Sequence, residues 1–534
     1  MLRKLDTFDK EVNNCGQQAH AIVIGAGFGG LAAAMRLGVK GYKVTVIDKL
    51  NVVGGRSSSI VKDGHRFDLG PTIITMPQLL EELWTFCGRS FSNDVDLRPQ
   101  EPFYTITFPD GNKFSAQRDV FAMRQEVRRL FPEDLEGYDK LMRDSKERYE
   151  FAFSSSERIG RQPMQRLWDT LKVIPKFAWL RADKSVYANV ATFVKDERLR
   201  MALSFHPLFV GGDPFRVTSM WGLVCHLEKT FGVHYAVGGT GAIAKAMAKI
   251  IEDQGGRILL NTTVDEILVK DNRVKGVCLD TREKLLSDIV ISNADSGYTY
   301  SNLIKGTKKR RWTNKKINNQ RWSMGLFVWY FGTKNTKNLW KEVGFHTVVN
   351  GPRYKGLVDD IFIHGKLSED MSLYVHRPSV SDPTAAPENG DTFYALSPVP
   401  NLSFADPINW EREAEPYQKR VLQFLESELL PGLGKHISCS FMMTPRDFKN
   451  RYLSPFGSGF SIEPRMFQSA WFRPHNISEE VSGLYLVGAG THPGPGVPGV
   501  IASAEILGKL VPDPNKLLTK EKNIEVNMVK QNEH

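Results

Sequence analysis

Residues 21–30 read AIVIGAGFGG and residues 43–48 read KVTVID. The first stretch is a short apolar run, Ala21 to Ile24, that meets a glycine cluster. Leu31, Ala34, Met35 and Leu37 then follow at near-helical spacing, Gly41 ends that helix, and Val44 to Ile47 resume an apolar strand that closes on Asp48. A strand, a tight turn, a helix and a second strand within fewer than about 30 residues predict the parallel pairing that a crossover helix requires. Gly25, Gly27 and Gly30 form GxGxxG. The first glycine permits the turn, the second lets the backbone approach a pyrophosphate, and the third lets the helix lie close to the strand. The helix N-terminus offers unpaired N–H groups to phosphates. Asp48, 18 residues beyond Gly30, stands where an acid can accept both hydroxyls of a ribose, and an acid there disfavours a 2′-phosphate. The fold class predicted is α/β, with a Rossmann-like dinucleotide-binding domain.

A second glycine turn, Val53-Gly54-Gly55-Arg56, follows directly. It would bring another backbone loop and a fixed cation to the same pyrophosphate, with Arg56 making charge-assisted bonds. A nicotinamide dinucleotide does not usually need this clamp, so a flavin dinucleotide is the better match. Phe67-Asp68-Leu69-Gly70-Pro71-Thr72 is a further turn expected near the flavin. Near the other end, Leu484 to Val487, a Gly/Pro-rich loop and Val500 to Leu510 repeat the strand–glycine–helix pattern, so the two ends are expected to share one discontinuous domain. Between them, Asp110-Gly111 signals a hairpin within 103–114. Residues 119–230 read as helical, broken by prolines, and residues 257–291 read as strands with a turn at Asp271-Asn272. The segment 379–391 reads as a surface loop, and Glu411 to Leu430 as an amphipathic helix.

These stretches resemble the flavoprotein family of amine oxidases and carotenoid desaturases. LYLVGAGTHPGPGVPGVIASA (484–504) is similar to the closing motif of its bacterial and fungal-type phytoene desaturases, with further matches in SFHPLFVGG (204–212), YAVGGTGAIAKAMAKIIEDQGG (235–256), SNAD (292–295) and SAWFRPHN (469–476). The resemblance runs from about residue 20 to 510. It implies noncovalent FAD, held by Gly25, Gly27, Gly30, Asp48, Gly55 and Arg56 at its ADP end and by the backbone of Val264 at the adenine. Gly490, Pro498, Gly499 and Val500 would lie beside the isoalloxazine, where a helix N-terminus favours the charge that appears on reduction. It also implies a discontinuous FAD domain (20–100, 235–300 and 475–512) and a mixed-sheet substrate domain (101–234 and 301–474) with a helical, membrane-associating cap at about 119–230. Residues 513–534 are a polar tail.

The reaction implied is desaturation of a carotenoid hydrocarbon, with phytoene the first candidate. A hydride goes to the flavin, a proton goes to base or water, and a quinone or dioxygen is the final acceptor. Such a substrate has no polar handle, so an apolar tunnel is expected. Phe205, Leu208, Phe209, Trp221 and Leu223 are candidates for its wall. No acid–base constellation stands out. His206, among apolar neighbours, reads as a hydrogen-bonded core histidine, and His492 in the closing loop is the better candidate for a polar role near the ring. A related flavoenzyme acting on a later carotenoid, an apo-carotenoid or a retinol-like lipid is an alternative. A non-catalytic prenyl-lipid carrier of the same fold is disfavoured by the intact Gly55-Arg56 clamp.

Composition sets bounds on these readings. The chain has 534 residues, 41% of them hydrophobic and 24% charged, which excludes disorder, collagen and coiled coil as the overall class. It carries 70 Lys and Arg against 60 Asp and Glu, for a formal charge of +10. The basic run Lys308-Lys309-Arg310-Arg311 reads as a solvated loop, without the motifs of a nucleic-acid binder. The five cysteines are scattered without CxxC, so reduced thiols and no metal site are expected. No secretory h-region opens the chain, and no run approaches the ~18 apolar residues of a spanning helix. Residues 161–181 interleave Leu167, Trp168, Leu171, Ile174 and Trp179 with Arg166, Lys172 and Lys176. That pattern suits two short helices, divided at Pro175, lying in a lipid interface. The expected location is therefore peripheral, on the cytoplasmic side of a membrane.

Overall fold

The computed structural model describes residues 18–154 and 159–518. Cys15 and most of the polar tail lie outside the described residues. The glycine-rich opening folds as its pattern dictates. Strand β1 (His20–Ile24) leads through Gly25, at φ +95°, into helix α1 (Phe28–Val39), and β2 (Lys43–Ile47) pairs in parallel with β1. Helix α2 (Thr240–Asp253) precedes β3 (Arg257–Leu259), β4 (Ile289–Ser292) follows, and β5 (Leu484–Leu486) precedes helix α3 (Val497–Leu510). The five strands form one parallel sheet in the order β5-β4-β1-β2-β3. Chain segments more than 400 residues apart thus sit two strands from each other. Helix α1 is buried from Phe28 to Leu37 and packs on both α2 and α3. It is apolar nearly all round, as an element buried on several sides must be. Each fully buried leucine in it contributes about 2 kcal/mol.

A seven-stranded mixed sheet forms the second layer, in the order Ile437–Met443, Gly325–Thr333, Asp391–Val399, Leu373–His376, His346–Val349, Tyr104–Thr107 and Lys113–Ala116. Its last two strands are the hairpin signalled at Asp110-Gly111, with Gly111 at φ +82°. Strand Gly325–Thr333 shows why the sheet has two different faces. Side chains alternate across a strand, so Phe327, Trp329 and Phe331 join one core with helix Trp410–Glu428, while Leu326, Val328 and Tyr330 point to the other. That other face is covered by helices from 120–231. Val264–Lys270 and Arg273–Leu279 form a hairpin whose turn holds Asp271 and Asn272 at positive φ.

Three sequence expectations need correction. Pro175 does not divide its segment: Leu167–Trp179 is one helix. Proline there removes only the bond to the Leu171 carbonyl, and both residues are on the exposed face, where water can serve that carbonyl. The segment 379–391 is not simply a surface loop. Asp382 is fully buried, takes an ion pair from Arg66 at 2.5 Å and accepts a bond from the Gly238 N–H. The C-terminal helix begins at Val497 rather than Val500, because Pro498 fits the first helical turn, where no donor is needed. Among the described residues no helix is long and apolar enough to cross a membrane, and Cys87, Cys225, Cys278 and Cys439 are free thiols.

Candidate active site

The glycine turn after β1 is held by the acid at the end of β2. Asp48 Oδ2 accepts the Ala26 N–H at 2.7 Å, and Oδ1 accepts the Leu50 N–H at 2.8 Å. Burial pushes its carboxyl up, partly offset by these two bonds. Around the turn, glycine is required by close approach. A Cβ on Gly27 would lie 2.9 Å from Asn293 Nδ2, and one on Gly30 would overlap the Gly25 carbonyl oxygen. Gly54 and Gly55 carry positive φ, and a Cβ on Gly55 would stand 3.4 Å from the Gly27 Cα. Two glycine-walled backbone loops therefore face each other with no side chain between them.

Arg56 stands beside this cradle. Its guanidinium bonds to Ser454 Oγ and lies 6.0 Å from the centre of the Tyr452 ring, but its Nε is buried without a partner. Burial pulls its pKa down, and Asp295 opposes that. Asp295, itself pushed up by burial, also feels Arg473, which burial lowers to about 10. Arg451 likewise has an unpartnered buried Nε and lines the same cavity. Orphaned cationic donors beside an uncovered glycine backbone are the complement of a diphosphate.

One cavity of about 700 Å³ connects these features. At the cradle it is lined by Gly25, Gly27, Asp48, Gly55, Arg56 and Val264. Pro498, Gly499 and Val500, at the start of α3, line it further along, as does His492. Gly30 and Gly490 are not on its surface. Gly30 seats α1 on the turn, and Gly490 accepts a bond from Ser296 Oγ at 2.8 Å. His492 Nε2 donates to the Ile159 carbonyl at 2.9 Å, its Nδ1 is buried without a partner, and burial lowers it to about 4, so the ring is neutral.

Beyond the closing loop the wall becomes apolar. Leu208, Phe209, Trp221 and Leu223 line it as expected. Phe205 does not. It sits behind the wall, edge-on to Tyr104 at 5.4 Å and Phe209 at 5.2 Å, because the short turn starting at His206 rotates Leu208 and Phe209 inward instead. The sequence reading missed a hydroxyl cluster that also lines the cavity, next to Phe209. Thr72 Oγ1 lies 2.9 Å from Tyr374 OH and 2.7 Å from Tyr394 OH, and Tyr374 OH is 2.5 Å from His346 Nδ1. Period-two alternation in the strands carrying these tyrosines was the available signal. The reading also left Asn293 and Asp295 without roles, although their SNAD motif was visible. At its outer end the cavity reaches Leu167, Leu171 and Ile174 of the exposed helix, and Met466 and Phe467 of a neighbouring loop.

The family model for flavin-containing amine oxidoreductases matches residues 28–506. The chain belongs to that family. Its relatives include the neurosporene-forming phytoene desaturases of Cereibacter sphaeroides (62% identical, covering 92% of this chain and 94% of that one) and Rhodobacter capsulatus (60%, 94% and 96%). The lycopene-forming phytoene desaturase of a Paracoccus species is 42% identical, covering 92% and 97%. Among solved structures, an oxidoreductase from Methanosarcina mazei shares the fold at a TM-score of 0.63 and 18% identity, covering 91% and 98%. The chain is thus an FAD-dependent oxidoreductase in the desaturase branch of the amine oxidoreductase family. The residues present fit the cofactor: the paired glycine loops leave room for its diphosphate, and Arg56 has a free buried donor beside them. When bound, the flavin supplies the two-electron chemistry.

Proposed function

We infer that this protein desaturates phytoene in carotenoid biosynthesis, taking one hydride and one proton from adjacent carbons in each step, with neurosporene the expected product. The observation that carries this reading is the single cavity that continues from the glycine cradle into an apolar tunnel. A hydrocarbon offers no charge to grip, so the protein contributes shape, alignment against the ring and exclusion of water. Gly25, Gly27, Asp48, Gly55, Arg56 and the backbone of Val264 hold the ADP part of FAD. Pro498, Gly499 and Val500 flank the flavin, and Leu208, Phe209, Trp221 and Leu223 guide the polyene. The FAD domain is assembled from 20–100, 235–300 and 475–512, and the substrate domain from the remainder up to 474.

Access to such a substrate is from lipid. The helix Leu167–Trp179 exposes Trp168 (64%) and Trp179 (74%), and the adjoining loop exposes Phe467 (73%). Phe467 and, on the same helix as the tryptophans, Leu167, Leu171 and Ile174 line the outer end of the cavity, which supports a protein lying peripherally on the cytoplasmic face of a membrane and drawing phytoene directly from it. A membrane quinone or dioxygen removes the electrons. The test is purified protein with FAD and phytoene-loaded liposomes, followed by chromatography. Coloured polyenes accumulating with phytoene loss are the expected result. A flavin-loaded protein that leaves phytoene untouched, but converts a later carotenoid, an apo-carotenoid or a retinol-like lipid, overturns the substrate assignment.

A further inference from the structure

Among the described residues lining the cavity, three carboxylates occur, and two of them are engaged at the cofactor end. Asp48 holds the glycine turn and Asp295 faces Arg56. The third, Glu228, lies on the substrate side, beside His206. Helix Val224–Phe231 carries Glu228, and the turn His206–Val210 carries His206. Both elements reach the closing loop: a Cβ on Gly496 would stand 3.5 Å from Val210 Cγ1, and Leu223 and Leu227 share a core with Val497 and Val500. The pair therefore lines the same cavity as Leu208 and Phe209, on elements that pack towards the closing loop.

The pair is built with care. Tyr104 OH donates to Glu228 Oε2 at 2.8 Å, and His206 Nε2 lies 3.1 Å from the same oxygen. Cys225 Sγ is 4.0 Å from His206 Nδ1. Glu228, His206 and Tyr104 are all buried. Burial alone would lower His206, but the Glu228 carboxylate and Cys225 outweigh it and raise the ring to about 10, so it is cationic at neutral pH. An ion pair in such a place gains little net stability over apolar packing. Its presence on a hydrocarbon tunnel has a chemical explanation, because desaturation releases a proton as well as a hydride.

We propose that Glu228 is the base of the desaturation, with His206 and Tyr104 positioning its carboxylate. The assignment rests on the desaturase reading above. In each step one C–H bond breaks with its electron pair leaving as hydride, for which bound FAD would be the acceptor. The neighbouring C–H bond breaks, its proton going to the Glu228 carboxylate and its electron pair becoming the new π bond. The substrate loses two hydrogens. The two electrons pass on to a quinone or dioxygen, and the proton on Glu228 leaves to water. While positive charge develops on the chain, the carboxylate is also the group that stabilises it.

The test compares wild-type holoenzyme with Glu228→Gln, Glu228→Asp, Tyr104→Phe and His206→Gln in the phytoene-liposome assay, measuring FAD content, KM and kcat separately. Glu228→Gln should hold FAD as the wild type does and keep KM within about twofold, while kcat falls by about 10²–10⁴. Glu228→Asp should recover part of that loss, which packing alone would not produce. A Glu228→Gln kcat within about threefold of an active wild type overturns the assignment and leaves the desaturase reading standing. An inactive wild type overturns both. If Glu228→Gln does not load FAD, the two positioning variants decide: both should lower kcat at unchanged KM, and unchanged kcat in both overturns the assignment.

Discussion

Gly27 has an ordinary φ of −74°, so alanine could adopt its backbone, and what forbids a side chain is the Asn293 amide 2.9 Å away together with the ligand path over the turn. Gly27→Ala should therefore fold yet weaken FAD binding at least about tenfold, a loss of about 1.4 kcal/mol or more. Fluorescence titration of the apoprotein measures this, and circular dichroism checks the fold. Unchanged affinity would mean the diphosphate does not cross this turn. His492 makes a second residue-scale case. It is neutral down to about pH 4 in the folded chain, against 6.5 for an unperturbed ring. Between those values the unfolded chain binds more protons, so stability is present above about 6.5 and is lost as pH falls towards 4. At pH 5 this one ring accounts for about 1–2 kcal/mol of the acid loss. Glutamine can still donate to the Ile159 carbonyl but does not titrate. The fall in Tm from pH 7 to pH 5 should be smaller in His492→Gln than in the wild type.

Helix Leu167–Trp179 is where chemical pattern and geometry part company. Its interleaved aromatic and basic residues were legible in the sequence, but its continuity through Pro175 was not, because that depends on which face meets water. The strand Gly325–Thr333 shows the same limit. Its apolar run GLFVWYFGT marks a buried strand, yet only the sheet assigns Phe327, Trp329 and Phe331 to one core and Tyr330 to the cavity. Phe205 was misplaced for that reason, since a one-residue rotation of the following turn decides which rings face inward. The proposed membrane contact is argued at this scale as well. Arg311 lies 4.2 Å over the Trp471 ring and donates to the Trp471 carbonyl, so the end of the basic run 308–311 meets the segment that follows Phe467. Apolar tips with a basic collar suit an anionic surface. Serine at Trp168, Leu171 and Ile174 together should reduce co-sedimentation with anionic vesicles about tenfold or more while FAD content stays unchanged. Raising salt should weaken the wild type in the same assay. Equal sedimentation of the triple variant would place the docking face elsewhere.

At the scale of the whole molecule, the cofactor cradle is shared by segments remote in sequence: the turn at 25–30, the clamp at 54–56, Val264, the Asn293–Asp295 stretch and the loop at 488–500. The glycine motifs at both ends were readable because close backbone approach leaves few residues to choose from. Arg451 and Tyr452 were not, since a cation at the end of helix Pro445–Tyr452 carries no local mark of the cavity it will line. Held by such an assembly, the cofactor would act as a structural cross-brace. Neither Arg56, with a buried Nε unpartnered, nor the facing glycine loops are satisfied by the protein alone. A ligand bound only by the folded chain stabilises it by mass action, about 2.7 kcal/mol at a hundredfold excess over Kd. Tm should therefore climb with the logarithm of added FAD once the sites are saturated. Gly27→Ala should shift that climb to higher FAD concentration without changing the Tm of the cofactor-free protein by more than a few degrees. A wild-type Tm indifferent to FAD would mean that the folded chain does not bind the cofactor in preference to the unfolded one, and that the cradle is not its site.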